Sequence, residues 1–442
     1  MKKISLLIVT ALFAFTNGAW AQNDNEDTEI TVTNQKGEKE VIDLPEALSY
    51  EYDSLLSVYN AKTYIRPNAN CDMPDVNPIY EKEVYKERLS RIPAVIEMPY
   101  NDVVQKLIDR YSGHLRRSVS LMLGTQNFYM PIFEQALESY GLPLELKYLP
   151  VIESALNPNA VSRVGATGLW QFMLQTGKQY GLEVNSFVDE RRDPVKASYA
   201  AAHYLSDLYK IFGDWNLVIA AYNCGPQGIN KAIHRAKGLT DYWDIYPYLP
   251  KETRGYVPAF IAANYIMNYY CDHNICPMVA ELPAKSDTIM VNRDIHFEQI
   301  AKVLNIDIET LKDLNPQYRR NIINGSSKPS SLRLPAMAIA SFIDQQDSIY
   351  SCTVDNFQNK RTEVDITEPQ KEYSSSKYSS RSRKSASRSS RRKRGRGKSV
   401  TIRQGDTLSD IARRNGTTVS KLKKLNKISG SSIRAGKKLK VK

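Results

Sequence analysis

One short pattern occurs twice in this chain at a gap-free offset of 111 residues, and that duplication constrains the architecture more than any single stretch does. Phe297, Ile300, Ala301, Ile308, Leu311, Leu314 and Asn315 return as Leu408, Ile411, Ala412, Val419, Leu422, Leu425 and Asn426. In each copy the apolar residues step at helical spacing through two short segments separated by a turn. Strand-type residues flank them, at 289–291 and 331–334 in the first copy and at 399–402 and 438–441 in the second. A unit this small, used twice, reads as βααβ. Both copies lie towards the C-terminus, so the residues ahead of them must supply a separate body.

That body is helical. From about residue 99 to 270 the apolar residues keep the helical period: Val103, Val104, Leu107, Ile108 and Tyr111 share one face, with Asn101 or Asp102 placed to cap. Ala201, Leu205, Leu208 and Phe212 mark another helix, stopped at Gly213, and 215–223 a third, ended by Gly225-Pro226. The fold class is therefore mainly α, with a helical domain over 96–282 and small βααβ units at 286–345 and 399–442. Residues 22–95 read as an N-terminal extension, partly disordered, because the stretch to about Pro67 is polar and acidic. Residues 346–398 read as a disordered linker rich in Ser and Arg, with no apolar periodicity over 356–398.

Charge and the first residues bear on the compartment. Residues 373–398 hold 11 Lys/Arg and no acid, and 399–442 hold 12 Lys/Arg against two Asp, while the whole chain carries only +12. The basic character is thus that of a tail, and the body is mildly acidic. Arginines this dense attract polyanions with little specificity. The linker offers no aromatics beyond Tyr373 and Tyr378, and export argues against nucleic acid as a partner. Lys2 and Lys3 precede a mostly apolar run at 4–15, and Ala19-Trp20-Ala21 offers a cleavage site, so 1–21 read as a signal peptide. An uncleaved N-terminal anchor is the other reading. The run is too short to span a bilayer, and no later segment approaches that length. The expected location is periplasmic or in the cell envelope, with at most a peripheral membrane association.

Cys71, Cys224, Cys271, Cys276 and Cys352 form no dense framework. Cys271 and Cys276 flank His273 in C-D-H-N-I-C, but two thiolates and one imidazole without a second ligand pair make a poor zinc site. A local disulfide, or two plain thiols, is the better reading. No metal and no cofactor is expected.

The chemistry concentrates at 148–172. Pro143 suits a helix first turn, and Leu142, Leu146, Leu149, position 153 and Leu156 step by 4, 3, 4 and 3, so position 153 faces the core or a cleft. Its residue is Glu. A carboxylate in apolar surroundings has its pKa raised, as a general acid at neutral pH requires. On this residue alone, a salt-bridge partner is the commoner role.

The neighbouring residues add to this. Glu153-Ser154, Asn157-Pro158-x-Ala160-x-Ser162 and Gly165-Ala166-x-Gly168-Leu169-Trp170-Gln171-Phe172 resemble the first two motifs of the lytic transglycosylase family with a lysozyme-like fold. Ala221-Tyr222-Asn223-Cys224-Gly225 resembles its third motif, Glu252-Thr253-Arg254-x-Tyr256-Val257 its fourth, and 193–205 the helix between. The βααβ copies resemble LysM modules, which bind N-acetylglucosamine-containing glycans. In the second, Gln404-Gly405-Asp406-Thr407-Leu408 opens the module and Ile433-x-x-Gly436-x-x-Leu439 closes it, which points to Gly405, Asp406 and Thr407 for glycan binding. The first has Arg293-Asp294-Ile295-His296-Phe297 where the Gly-Asp-Thr turn belongs; its fold is implied and its glycan binding stays open.

The resemblance implies a peptidoglycan lytic transglycosylase. Glu153 would act as acid and then base, and Tyr256 would orient it. Ser162 would help hold the reacting sugar, and Gln171, Tyr222 and Asn223 would line the substrate's path. The implied product is a 1,6-anhydro-muramic acid end. Glycosidases with two protein roles to fill show two carboxylates, whereas the motif positions here offer none beyond Glu153. Asp189, Glu190 and Asp193 read as helix caps and partners of Arg191 and Arg192, and Cys224 as packing. Two alternatives remain: a hydrolytic muramidase on the same fold, and a non-catalytic LysM wall-binding protein. A wall peptidase would need a metal motif or a paired Cys and His, and the five histidines form no such motif.

Overall fold

The computed structural model describes residues 29–33, 37–45, 48, 65–354 except 281 and 284, 399–401, 408–426 except 416, 428 and 438–441. The expected signal peptide and nearly all of the Ser/Arg-rich linker lie outside the described residues. The chain divides into two compact units, one within 1–370 and one within 371–442.

In the first unit the helical body forms as its caps dictate. The Asp102–Ser112 helix starts at Asn101, whose side chain accepts from the amides of Val103 and Val104, and its five expected apolar residues are buried. Asp193 caps the Pro194–Phe212 helix in the same way, Pro194 occupies its first turn, and Gly213 ends it at φ 65°. The Trp215–Cys224 helix, capped by Asp214, stops at Gly225, and Pro226 opens the next helix, Pro226–Arg235. The Lys251–Tyr269 helix runs through the core: every residue from Gly255 to Met267 is buried, against the Asp102–Ser112 and Trp215–Cys224 helices.

Part of the N-terminal stretch expected to be poorly ordered is a hairpin. Glu29–Thr33 pairs antiparallel with Lys39–Asp43, Ile30 opposite Ile42, and Val32 and Ile42 are fully buried. The hairpin packs on the Lys251–Tyr269 helix at Gly255, where an added Cβ would meet the Asp43 carbonyl at 2.8 Å, and Glu40 pairs with Arg254 at 3.1 Å. Five-residue strands with so few apolar residues are stable only on a partner face, which sequence pattern does not reveal.

The cysteine expectation is also corrected. Cys276 is bonded to Cys71, 205 residues away, and Cys271 is a free, exposed thiol. Between them His273 is fully buried, its ring nitrogens on Tyr265 Oη and Asn77 Oδ1, and burial, helped by the Arg88 charge, lowers its pKa to about 4. The loop thus closes a long-range disulfide around a neutral structural histidine.

The first repeat copy belongs to the same unit. Ser286–Val291 pairs antiparallel with Ser330–Pro335, with Ile289 opposite Leu332, around the Phe297–Leu304 and Ile308–Leu314 helices. A second short pair, Asp294–His296 with Ile322–Asn324, is added. The module does not end at 345. Gln346–Ser351 is a helix whose Ile349 is buried, and Gln299 Nε2 donates to the Cys352 carbonyl at 2.7 Å, so the first residues assigned to the linker cover this module instead.

In the second unit, Ser399–Thr401 pairs with Lys438–Lys440, and Leu408, Ile411, Leu422 and Leu439 make the core with the Leu408–Arg414 and Val419–Asn426 helices. The repeated asparagine explains why it repeats. Asn315 accepts from the amide of Arg333 and donates to its carbonyl, both at 2.8 Å; Asn426 does the same to Lys440, both at 2.8 Å. Each pins the closing strand to the end of the second helix. Gly405, Asp406 and Thr407 lie outside the described residues.

Candidate active site

Glu153 sits on the last turn of a short helix, Leu149–Ser154, which follows a 3-10 turn at Leu144–Tyr148. The single helix expected from Pro143 is thus two pieces: Pro143 precedes the 3-10 turn, and Pro150 occupies the first turn of the α-helix. The face is as expected, with Leu146, Leu149 and Leu156 fully buried and Glu153 half-buried. Directly after Ser154 the chain turns left-handed at Ala155 (φ 47°) and Leu156 (φ 60°), so the helix ends where the carboxylate emerges. Ser154 is fully buried and donates to the carbonyls of Pro150 (3.0 Å) and Leu169 (2.9 Å), tying this helix to the 160–172 loop.

Tyr256, on the core helix, donates a short hydrogen bond to Glu153 Oε1. Its hydroxyl is pushed well above the ordinary tyrosine pKa, first by complete burial and then by the Glu153 charge. Tyr222 is raised in the same sense by burial, with Glu153 and Tyr204 next, and donates to the Trp170 carbonyl at 2.8 Å. Both tyrosines therefore stay neutral donors at any physiological pH. The arrangement supplies one carboxyl that can give and take a proton, held by a phenol that cannot compete for its charge.

The other expected residues are positioned by their own neighbours. Ser162 Oγ accepts from the amides of Ala166 (3.0 Å) and Val164 (3.3 Å), which folds the 162–166 turn. Gln171 lies at φ 47° with its amide donating to the Gly168 carbonyl at 2.7 Å. Asn223 accepts from Thr253 Oγ1 at 2.8 Å. Sequence reasoning passed over Thr253, although it lies inside the fourth motif. It also undervalued Arg191. That buried guanidinium pairs with Asp189 at 2.9 Å and donates to the carbonyls of Gly165 and Phe172, both at 3.1 Å, so it clamps the middle of the loop to its end. Asp189 and Asp193 act as caps as expected, whereas Glu190 pairs with Lys196 rather than with an arginine.

Residues 130–244 match the family described as the transglycosylase SLT domain. Residues 285–351 match a LysM-like domain described for the lytic transglycosylase MltD, and 400–442 match the LysM domain. The chain carries an SLT transglycosylase domain and LysM domains. It is 28% identical over 346 residues to the membrane-bound lytic murein transglycosylase D of Escherichia coli (strain K12), covering 77% of this chain and 69% of that one. A soluble lytic murein transglycosylase of the same strain is 32% identical over 124 residues, which is 27% of this chain and 19% of that one. Among solved structures, the 70 kDa soluble lytic transglycosylase of Escherichia coli is similar at 28% identity and a TM-score of 0.29, over 33% of this chain and 25% of that chain.

Within the SLT domain, Cys224 is a thiol whose pKa burial pushes up, the wrong direction for a nucleophile. Among the described acids, Glu252 is a second whose charge reaches Tyr256, and it lies exposed on the first turn of the core helix. A Tyr256→Phe variant separates positioning from packing. Losing a hydrogen bond to a charged group costs about 1.5–3 kcal/mol, so kcat is expected to fall on the order of 10–100-fold with KM and the thermal midpoint little changed. A kcat within twofold of the parent would remove Tyr256 from the site.

Proposed function

We propose that the chain is a peptidoglycan lytic transglycosylase that works with Glu153 alone as its acid and base. The observation that carries this is the hydrogen bond that Tyr256 donates to Glu153, a residue within the stretch that matches the SLT domain. Glu153 protonates the oxygen bridging N-acetylmuramic acid and N-acetylglucosamine, and that bond breaks as an oxocarbenium-like centre forms. The carboxylate then takes the proton of the muramic acid C6 hydroxyl, whose oxygen closes on C1. A 1,6-anhydro sugar results and no water is consumed. Ser162, Gln171, Tyr222 and Asn223 hold the glycan strand for this step.

Mass spectrometry of sugar ends released from purified peptidoglycan tests the reading. The expected ends are about 18 Da lighter than hydrolytic ones, because an intramolecular nucleophile outcompetes water. Mainly reducing ends would favour the hydrolytic alternative, with Glu252 as the acid to examine.

The division of the chain follows: a signal peptide over 1–21, an N-terminal extension, the catalytic domain over 96–282, the LysM-like module from 286, and a linker leading to a LysM domain at 399–442. Export is supported by the Cys71–Cys276 disulfide, a bond kept in oxidising compartments. No helix among the described residues is long and apolar enough to cross a membrane. The second LysM copy, through Gly405, Asp406 and Thr407, holds N-acetylglucosamine-containing polymer and raises the local enzyme concentration there. Truncation after about Gln358 should therefore abolish most pelleting with intact sacculi at moderate salt, while soluble fragments are cut at an unchanged rate. Equal pelleting by both forms would show that this copy is not the anchor.

A further inference from the structure

The first LysM-like module does not hang on a tether. Its 315–330 loop is bound to the 183–193 loop of the helical body by backbone hydrogen bonds: Asp189 N to the Gln317 carbonyl and Arg319 N to the Phe187 carbonyl, both at 2.8 Å. Lys328 adds an ion pair to Glu183 at 3.3 Å. Between the two loops lies a cavity open to solvent, lined from the body by Glu183, Phe187, Glu190 and Lys196 and from the module by Gln317 and Asn324 among others.

Two features of its lining point to a ligand. Gln317 is 4% exposed, and its side-chain oxygen has no hydrogen-bond partner; the buried side-chain oxygen of Asn324 has none either. A buried acceptor left unpaired costs about 1–3 kcal/mol, so two in one cavity call for a donor from outside the protein. The four charges are already balanced, Glu190 by Lys196 and Glu183 by Lys328, so the cavity does not ask for an ion. Phe187, Val188, Tyr318 and Pro329 give it apolar wall. A neutral ligand with an apolar face and hydroxyl or amide N–H donors at its rim fits this lining, which describes an N-acetylated sugar ring.

We propose that this composite cavity is a second glycan subsite, built jointly by the catalytic body and the LysM-like module, and that it takes an N-acetylhexosamine of the strand being processed. The proposal rests on the transglycosylase reading. It gives the departure of the first module from the Gly-Asp-Thr pattern a physical sense, since this module holds sugar through the loop that docks it and not through its opening turn. Gln317 and Asn324 would accept from the sugar's hydroxyl and acetamido N–H groups.

The test uses the full chain carrying Glu153→Gln and a β-1,4-linked N-acetylglucosamine hexamer bearing a photoreactive diazirine. Labelled peptides are mapped by mass spectrometry, which separates this cavity from the second LysM copy. Labelling is expected within 183–196 and 317–331, and to fall about tenfold, the equivalent of one lost hydrogen bond, in Gln317→Leu. Ser327→Trp, on the exposed rim, should block it without touching the core. Absence of labelling in both segments, or labelling unchanged by both substitutions, would overturn the subsite. In the otherwise unaltered chain, the same substitutions should raise KM on long uncrosslinked strands and leave the cutting of short fragments alone. Failure of the transglycosylase reading would show differently, as a parent enzyme that releases no anhydro ends at all.

Discussion

Replacing Glu153 with Gln is expected to lower the rate of sugar-end release by at least the roughly 10²–10⁴-fold typical of a lost general acid and base. The fold should survive, because the amide keeps the size of the carboxylate and its oxygen can still accept from Tyr256, which remains a neutral donor. Glu153 is only half-buried and ends a helix whose anchoring falls to Ser154, Leu149 and Leu156. A thermal midpoint close to the parent's would show that the loss is chemical. Glu252→Gln is the paired control: it removes the other charge that reaches Tyr256, and activity within about threefold of the parent, a difference under 1 kcal/mol, is expected. Retention of more than a tenth of the parental rate by Glu153→Gln, or a larger loss from Glu252→Gln, would take the acid–base role away from Glu153.

The residues that were legible in the sequence are those whose function is met within a few positions along the chain. Asn101 and Asp193 cap the helices directly after them, and a cap is a local event. The face carrying Glu153 followed from spacing even though a 3-10 turn gives way to an α-helix between Tyr148 and Leu149, because residues three apart return to one face in both. Asn315 and Asn426 stood out because duplication made one structural need visible twice. Long-range pairings were not legible. Cys276 offered a nearer partner in Cys271 than the one it takes, and nothing local marks Cys71. The N-terminal hairpin depends on Gly255, a residue more than 200 positions away. The docking of the 315–330 loop on the 183–193 loop uses backbone groups, which carry no sequence signature.

Arg191 shows the same limit at the site. A charged residue beside two acids in a polar-looking turn invites a surface reading, yet Asp189, Glu190, Arg191 and Asp193 are all buried. They are tolerated there because each charge is paired or hydrogen-bonded: Arg191 to Asp189 and two carbonyls, Glu190 to Lys196 and the Glu183 amide, Asp193 to two helix-start amides. The loop that carries Ser162 and Gln171 is therefore shaped from behind by a buried cluster of paired charges.

That backing makes Gly168→Ala the most damaging small change expected in the loop. Gly168 lies at φ 87°, and an added Cβ would come within 1.8 Å of the Arg191 carbonyl oxygen and 2.7 Å of its carbon. These are backbone atoms, and Arg191 cannot withdraw without giving up Asp189 and the carbonyls of Gly165 and Phe172. Gly165 supplies the internal control. It has the same φ of 87°, three residues away, and a Cβ added there would meet nothing within 4 Å. Gly165→Ala should therefore lose only the left-handed penalty, about 1–2 kcal/mol. Gly168→Ala adds an overpacking cost of about 1–3 kcal/mol, for roughly 3 kcal/mol in all. For a domain of this size that corresponds to a fall in thermal midpoint of roughly 6–12 °C, measurable by calorimetry. Activity should fall further than stability, because the displaced loop carries Trp170, whose carbonyl holds Tyr222, and Gln171, whose side-chain amide is bonded to the Gly168 carbonyl. Equal midpoints for the two alanine variants would show that the loop yields freely and that Arg191 does not fix its shape.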